Sequence, residues 1–187
     1  MRLILASASP RRREILERLG VEFEAVVGEV EELSEGEPEA VVLENARRKA
    51  RAGRELGGAR EGAAVLGVDT DVAIGGRLLG KAADELAARE RLEALSGRTH
   101  EVLSGVVVLD GSAERSAIAR TEVDFKRLDR ATVDLYLASG EWRDRAGAYA
   151  IQGLGSILIT AIRGDFSNVV GLPVPTVLEL IPWLLDG

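Results

Sequence analysis

Cysteine is absent from the sequence, which excludes disulfides, thiolate nucleophiles and cysteine-bound zinc. Histidine occurs once, as His100, so a cluster of histidine metal ligands is excluded as well. Any bound metal would have to be a hard cation such as magnesium or manganese, held by carboxylates and phosphate oxygens. No apolar run approaches the length of a membrane span. The first one, "LILA" (3–6), is too short for a secretory segment, and its arginines follow it instead of preceding it. A soluble, cytoplasmic protein with no membrane partner is therefore expected. Positive charge is also in deficit, with 24 Lys and Arg against 31 Asp and Glu and a net charge of −7. Proteins that coat nucleic acid are usually basic. No nucleic-acid partner is expected, and basic clusters in so acidic a chain read as local anion sites.

What is present suits one domain over residues 1–187, long enough for a sizeable core. "RLILA" (2–6) reads as a buried strand, and residues 22–28 as a second. The acidic stretch 29–37 reads as an exposed loop, with a helix from Pro38 to about Leu56. Residues 63–68 form an apolar strand ending on Asp69, with residues 71–76 extending it into a turn. Asp84 and Asp129 are placed to start helices ending near Leu95 and Ala138. Between them, residues 100–111 and 116–128 read as strands joined through Asp110-Gly111, a hairpin signal. Residues 156–162 read as another strand, and 175–185 as a closing helix bent or restarted near Pro182. Helices alternating with buried strands, plus one hairpin, predict an α/β fold with a mixed sheet.

The chemistry-bearing stretches start with "SASPRRREIL" (7–16). Ser9 and Pro10 mark a helix N-terminus, yet Arg11, Arg12 and Arg13 crowd its first turn. There the helix dipole opposes each cation by roughly 0.3–1 kcal/mol. At about 100° per residue the three cannot converge on one ligand, so one or two face solvent. A strand, a short turn and a helix N-terminus together offer free N–H groups to a phosphate, with arginine as a forked donor. "GGRLLGKA" (75–82) misses the P-loop pattern at Ala82, which leaves Lys81 as a phosphate contact. "GLGSIL" (153–158) lacks the third glycine of a dinucleotide fingerprint. "ENARRKARAG" (44–53) reads mainly as a solvated face around Lys49. Asp69, at the end of an apolar strand, stands where α/β sheets place ligand chemistry. His100 has no serine–aspartate partnership and reads as a satisfied structural histidine.

"LASASPRRREIL", "LGVDTDV", "LGKA", "LSGRTHEV", "RAGAYAIQGLG" and "FSNVVGLP" occur in the order and approximate spacing of the Maf family. The chain resembles these nucleoside triphosphate pyrophosphatases, named for a link to septum formation, from Leu3 to its closing helix. The resemblance implies an elongated mixed sheet flanked by helices, related to that of inosine triphosphate pyrophosphatases. It also implies hydrolysis of a nucleoside triphosphate to monophosphate and pyrophosphate with magnesium or manganese, and family members are often dimers. Asp69 matches the proton acceptor. Ser7, Arg11, Arg12, Lys49 and Lys81 match residues at the phosphate end, and Glu32 an acidic residue that joins Asp69 near the metal. Arg11, Thr70 and Gln152 match the base-specificity positions of the dTTP/UTP branch, where the 7-methyl-GTP branch carries an aromatic, a glutamine and a glutamate. A glutamine amide can pair with uracil or thymine and, turned over, with cytosine. Two positions depart from the family: Ala82, where proline is usual, and Asp71, where an aliphatic residue is normal. If residues 69–71 continue the strand, Asp69 and Asp71 share a face; if it has ended, which is the reading preferred here, Asp71 is solvated. A non-catalytic nucleotide-binding regulator of division is the alternative from another class, and a 7-methyl-GTP pyrophosphatase the alternative within the family.

Overall fold

The computed structural model describes residues 2–57 and 62–185. A mixed seven-stranded sheet is built around one long strand, β3 (Ala63–Ile74). On one side β3 runs parallel to β1 (Arg2–Leu5), which runs parallel to β2 (Phe23–Ala25). On the other side the order continues, antiparallel throughout, with β5 (Thr99–Asp110), β6 (Ala113–Phe125) and β7 (Ile159–Arg163). The short β4 (Arg77–Leu78) folds back onto the end of β3. The helices are α1 (Pro10–Arg18), α2 (Pro38–Leu56), α3 (Glu85–Leu95), α4 (Arg130–Ser139), α5 (Phe166–Val170) and α6 (Val174–Leu180).

Alternation along β3 divides its side chains between two layers. Leu66 and Val68 pack with Leu16 of α1 and with Val177 and Ile181 at the C-terminal end. Val65 packs instead with Ala46 and Ala50 of α2. Further along, Val72 enters a different core, with Leu92 of α3, Tyr136 of α4 and Phe125. Residues 69–71 of β3 therefore lie where the sheet passes from one core to the next, and their polar side chains are committed to neither.

Two glycines decide how α2 lies on the sheet. A Cβ at Gly67 would stand 2.3 Å from the Ala46 carbonyl oxygen, and one at Gly105 would stand 2.4 Å from that of Val42. The helix backbone thus rests directly on β3 and β5. Gly67 and Asp69 share a face of β3, and Gly105 is the cross-strand partner of Asp69. The helix that settles on the glycines must pass over that aspartate.

Several expected boundaries shift. The strand expected over 22–28 shortens to Phe23–Ala25, because β1 ends at Leu5 and leaves the following residues without a ladder partner. Residues 153–158 form a 3-10 helix where the expected strand 156–162 began. The Glu141 carboxylate accepts from the N–H groups of Leu154 (3.0 Å) and Gly155 (3.1 Å), which holds that turn before β7 can start. The hairpin is found, with β6 beginning at Ala113, and α5 is an additional short helix. The closing helix stops at Leu180 and restarts as a 3-10 turn at Pro182. No helix among the described residues is long and apolar enough to cross a membrane.

His100 is structural, but only one of its nitrogens is satisfied. Nε2 shares a hydrogen bond of 2.8 Å with the Tyr149 hydroxyl, while Nδ1 is buried without a partner. The ring meets Phe125 and Tyr149 edge-on. Burial lowers its pKa to about 4, against a weaker opposing pull from Asp124. The unfolded chain binds this proton near pH 6.5 and the folded chain only near 4. The contribution to stability is therefore intact above pH 6.5 and lost as the pH falls through that window, by about 3 kcal/mol at most. Urea unfolding between pH 7 and 4.5 should show a shallower loss of stability in His100→Gln than in the unsubstituted protein. Equal slopes would assign the acid sensitivity to other groups.

Candidate active site

The turn from β1 into α1 forms one wall. Ser9 occupies the N-cap position, with Pro10 opening the helix, but its side chain makes no cap bond. The Ser7 hydroxyl accepts from the Ser9 N–H instead, at 3.2 Å. The three arginines diverge as helical spacing demands. Arg12 turns inward and is nearly buried, donating to the Gly171 carbonyl (2.8 Å), the Ser7 hydroxyl (3.0 Å) and the Thr70 hydroxyl (3.1 Å). All three acceptors are neutral. Burial lowers the Arg12 pKa, and the nearby charges of Asp69 and Glu32 oppose that shift. A buried guanidinium with neutral acceptors in the first turn of a helix is a site that favours an anion.

The second wall comes from α2. Asp69 is 8% exposed. Its Oδ1 accepts from Lys49 Nζ at 2.5 Å and its Oδ2 from Asn45 Nδ2 at 3.1 Å. The same ammonium lies 2.9 Å from Glu32 Oε1, so one cation is shared by two carboxylates. Asn45 and Lys49 are four residues apart and share a helix face. Asn45 also anchors the acidic segment carrying Glu32: its Oδ1 accepts from the Leu33 N–H (2.8 Å), and its Nδ2 donates to the Leu33 carbonyl (3.0 Å). Sequence reasoning missed Asn45. The available signal was a single amide on the buried stripe of Val41, Val42, Ala46 and Ala50.

Between these walls lies a cleft of about 670 Å³, lined among others by Ser7, Arg11, Arg12, Glu32, Lys49 and Lys81. All of the residues matched to the phosphate end therefore meet in one space. A narrower hollow of about 60 Å³ adjoins it, bordered by Arg11, Thr70, Arg145, Tyr149 and Gln152. Arg11 belongs to both, and its Nη2 donates to the Asp144 carbonyl at 3.2 Å. Burial, followed by the charges of Arg145 and Arg12, lowers Arg11 to about 10. Thr70 points to the face of β3 opposite Asp69, and its hydroxyl lies 2.7 Å from that of Ser104. Arg145, also missed in the sequence, has a buried Nε with no hydrogen-bond partner.

Asp71 requires a correction. The strand does not end before it; β3 continues to Ile74, and the side chain is half-buried. Its Oδ1 accepts from the Val72 N–H (2.7 Å) and the Gly80 N–H (3.0 Å). Burial raises its pKa to about 6 despite those two donors.

Among the described residues no three acidic or histidine side chains gather into a protein-only metal site. Asp69 and Glu32 nonetheless face a common cation, the Lys49 ammonium. A hard divalent ion that takes one or two carboxylates and completes its shell with phosphate oxygens fits that donor set.

A long mixed sheet with a basic cleft at the junction of two cores defines an α/β protein built to receive a polyanion. The chain belongs to the Maf family, whose model, described as Maf-like protein, matches residues 2–183. It is 47% identical to the dTTP/UTP pyrophosphatase of Deinococcus radiodurans, over 96% of this chain and 91% of that one. It is 45% identical to the dTTP/UTP pyrophosphatase of Thermococcus gammatolerans, over 95% and 94% respectively. Among solved structures, a nucleoside-triphosphatase / dITP/XTP pyrophosphatase from Mycobacterium abscessus shares the fold at a TM-score of 0.50. That alignment has 18% identity and covers 100% of this chain and 96% of the other.

Asn45→Ala removes the bonds to Asp69 and to both Leu33 groups. It is expected to lower stability by about 1–3 kcal/mol and to open residues 29–37 to limited proteolysis. Urea denaturation and digestion followed by mass spectrometry measure both. An unchanged cleavage pattern would show that the acidic segment is held by other contacts.

Proposed function

We propose that the protein is a dTTP/UTP pyrophosphatase, hydrolysing these nucleotides and modified pyrimidine triphosphates to the monophosphate and pyrophosphate as nucleotide-pool housekeeping. The observation that carries this reading is a cleft ringed with Arg11, Arg12 and Lys81, on whose wall Glu32 and Lys49 lie, with Lys49 joining Glu32 to the buried carboxylate of Asp69. Relatives named for this activity, at nearly half identity over nearly the whole chain, support it.

In this reading Ser7, Arg12 and the first turn of α1 hold the phosphate chain, with Lys81 on the opposite side. Asp69 accepts the proton of a water that attacks the α-phosphorus. The bond from that phosphorus to the bridging oxygen breaks, and pyrophosphate leaves with the displaced electron pair. Arginine and lysine neutralise the charge that develops on it. A magnesium or manganese ion held by Asp69 and Glu32 would supply further charge neutralisation on the phosphate oxygens. Lys49, which joins the two carboxylates, holds both in orientation.

The narrow hollow takes the base. Thr70 orients Arg12 from its floor, and Gln152 presents an amide that can donate to O4 and accept from N3–H of uracil or thymine. Arg145 on the same wall is donor-only, so it favours the O4 carbonyl over the amino group of cytosine.

Chromatography of the products from a panel of triphosphates with magnesium or manganese tests the reaction. Pyrophosphate and monophosphate are expected, with dTTP and UTP preferred over purines. Stepwise release of orthophosphate, a preference for 7-methyl-GTP, or saturable binding without turnover would each overturn the reading. Asp69→Asn should keep the fold and lower kcat by about a hundredfold or more, whereas Lys81→Ala should chiefly raise KM. Near-normal kcat in Asp69→Asn would remove that carboxylate from the chemistry. Arg145→Gln should shrink the preference for UTP over CTP by about tenfold, the scale of one charge-assisted hydrogen bond. An equal loss on both substrates would instead make Arg145 a phosphate contact.

A further inference from the structure

Lys81 is exposed and sits on a short turn after β4, a setting that by itself leaves a long side chain free to wander. The backbone beneath it is held from several sides. The Asp71 carboxylate accepts from the Gly80 N–H at 3.0 Å, and the Gly80 carbonyl accepts from the Gly147 N–H at 3.0 Å. Arg91, from α3, spans the same turn: its Nε donates to the Leu79 carbonyl at 2.8 Å and its Nη2 to the Lys81 carbonyl at 3.0 Å. Its Nη1 is tied to its own helix through the Ala87 carbonyl, at 3.1 Å. Gly80 adopts a φ of +60°, which a residue with a side chain would resist. The peptide units 79–80 and 81–82 are therefore gripped by one carboxylate and one guanidinium from different elements, and the unit between them by the Gly147 amide. Packing alone does not account for Asp71. A half-buried carboxylate on the same face of the strand as Asp69 is an unfavourable choice where an aliphatic side chain would fill the space.

We propose that Asp71 and Arg91 are positioning residues that clamp residues 79–81, holding the Lys81 ammonium over the cleft before substrate arrives. The cost of ordering that turn is then met on folding and does not weaken binding. The inference rests on the reading that Lys81 meets the phosphate chain. Neither residue touches substrate, and each acts through the lysine.

A double-mutant cycle tests it. Asp71→Val removes the acceptor for the Gly80 N–H, and Asp71→Asn keeps one in the same place. In UTP hydrolysis, Asp71→Val is expected to raise KM by about five- to tenfold with a much smaller change in kcat, and Asp71→Asn to stay within about twofold. In a Lys81→Ala background, Asp71→Val should add less than about a twofold further loss, because the side chain it serves is gone. Arg91→Leu should follow Asp71→Val in both backgrounds, which keeps the test open if one variant folds poorly. The same multiplicative loss with and without Lys81 would overturn the proposal.

Amide hydrogen exchange gives a readout independent of activity. The Gly80 amide should exchange at least about tenfold faster in Asp71→Val and at the native rate in Asp71→Asn. Unchanged protection in Asp71→Val would show that no clamp exists. If no triphosphate is hydrolysed by the unsubstituted protein, the pyrophosphatase reading fails, and the exchange measurement still decides the clamp.

Discussion

The seating of α2 on Gly67 and Gly105 is the contact on which the rest of the site depends. Because neither position carries a side chain, helix carbonyls come within van der Waals range of the sheet. Asn45 and Lys49 are thereby lowered onto Asp69, and the acidic segment before α2 is drawn in with them through Leu33. A bulkier residue at either glycine would lift the helix, and the two carboxylates would lose their common cation. The same contact supplies core burial through Ala46 and Ala50, so site geometry and stability share one origin.

Charge is the second organising constraint. The chain as a whole is acidic, yet Arg11, Arg12, Lys49 and Lys81 line a single cleft. Lys49 is neutralised there by carboxylates, whereas Arg12 is held only by neutral oxygens, one of them the Gly171 carbonyl. That carbonyl is in turn placed by the α5 region. Asn168 donates to the Val102 carbonyl and the Thr121 hydroxyl, and the Ser167 hydroxyl accepts from the Val174 N–H. The stretch "FSNVVGLP" thus works as a bracket behind the phosphate-side arginine.

Local chemistry was legible wherever it depended on neighbours in sequence. Asp84 and Asp129 cap their helices by accepting from the Ala87 and Thr132 N–H groups. Pro38 to Leu56 is the helix expected, and the hairpin closes at Gly111. Failures fall where a distant partner decides. β2 is short because β1 ends, and the strand expected from Ser156 is delayed by the Glu141 carboxylate. Asp71 is partly covered because the Gly80 turn folds back on it.

The class of the fold, most of its elements and the residue types able to meet a phosphate chain follow from local pattern. Hydrophobic period, caps and turn residues act over a few positions, and the arginine-rich first turn of α1 is visible as a string. Tertiary structure alone decided which of those residues share a space. It turned Arg12 toward Gly171 and Thr70, set Lys49 between Asp69 and Glu32, and brought Arg11, Thr70 and Gln152 to one hollow. These pairings join residues that are distant in the sequence. Their distances follow from strand register and from how closely a helix can approach a glycine floor, and no local pattern encodes either.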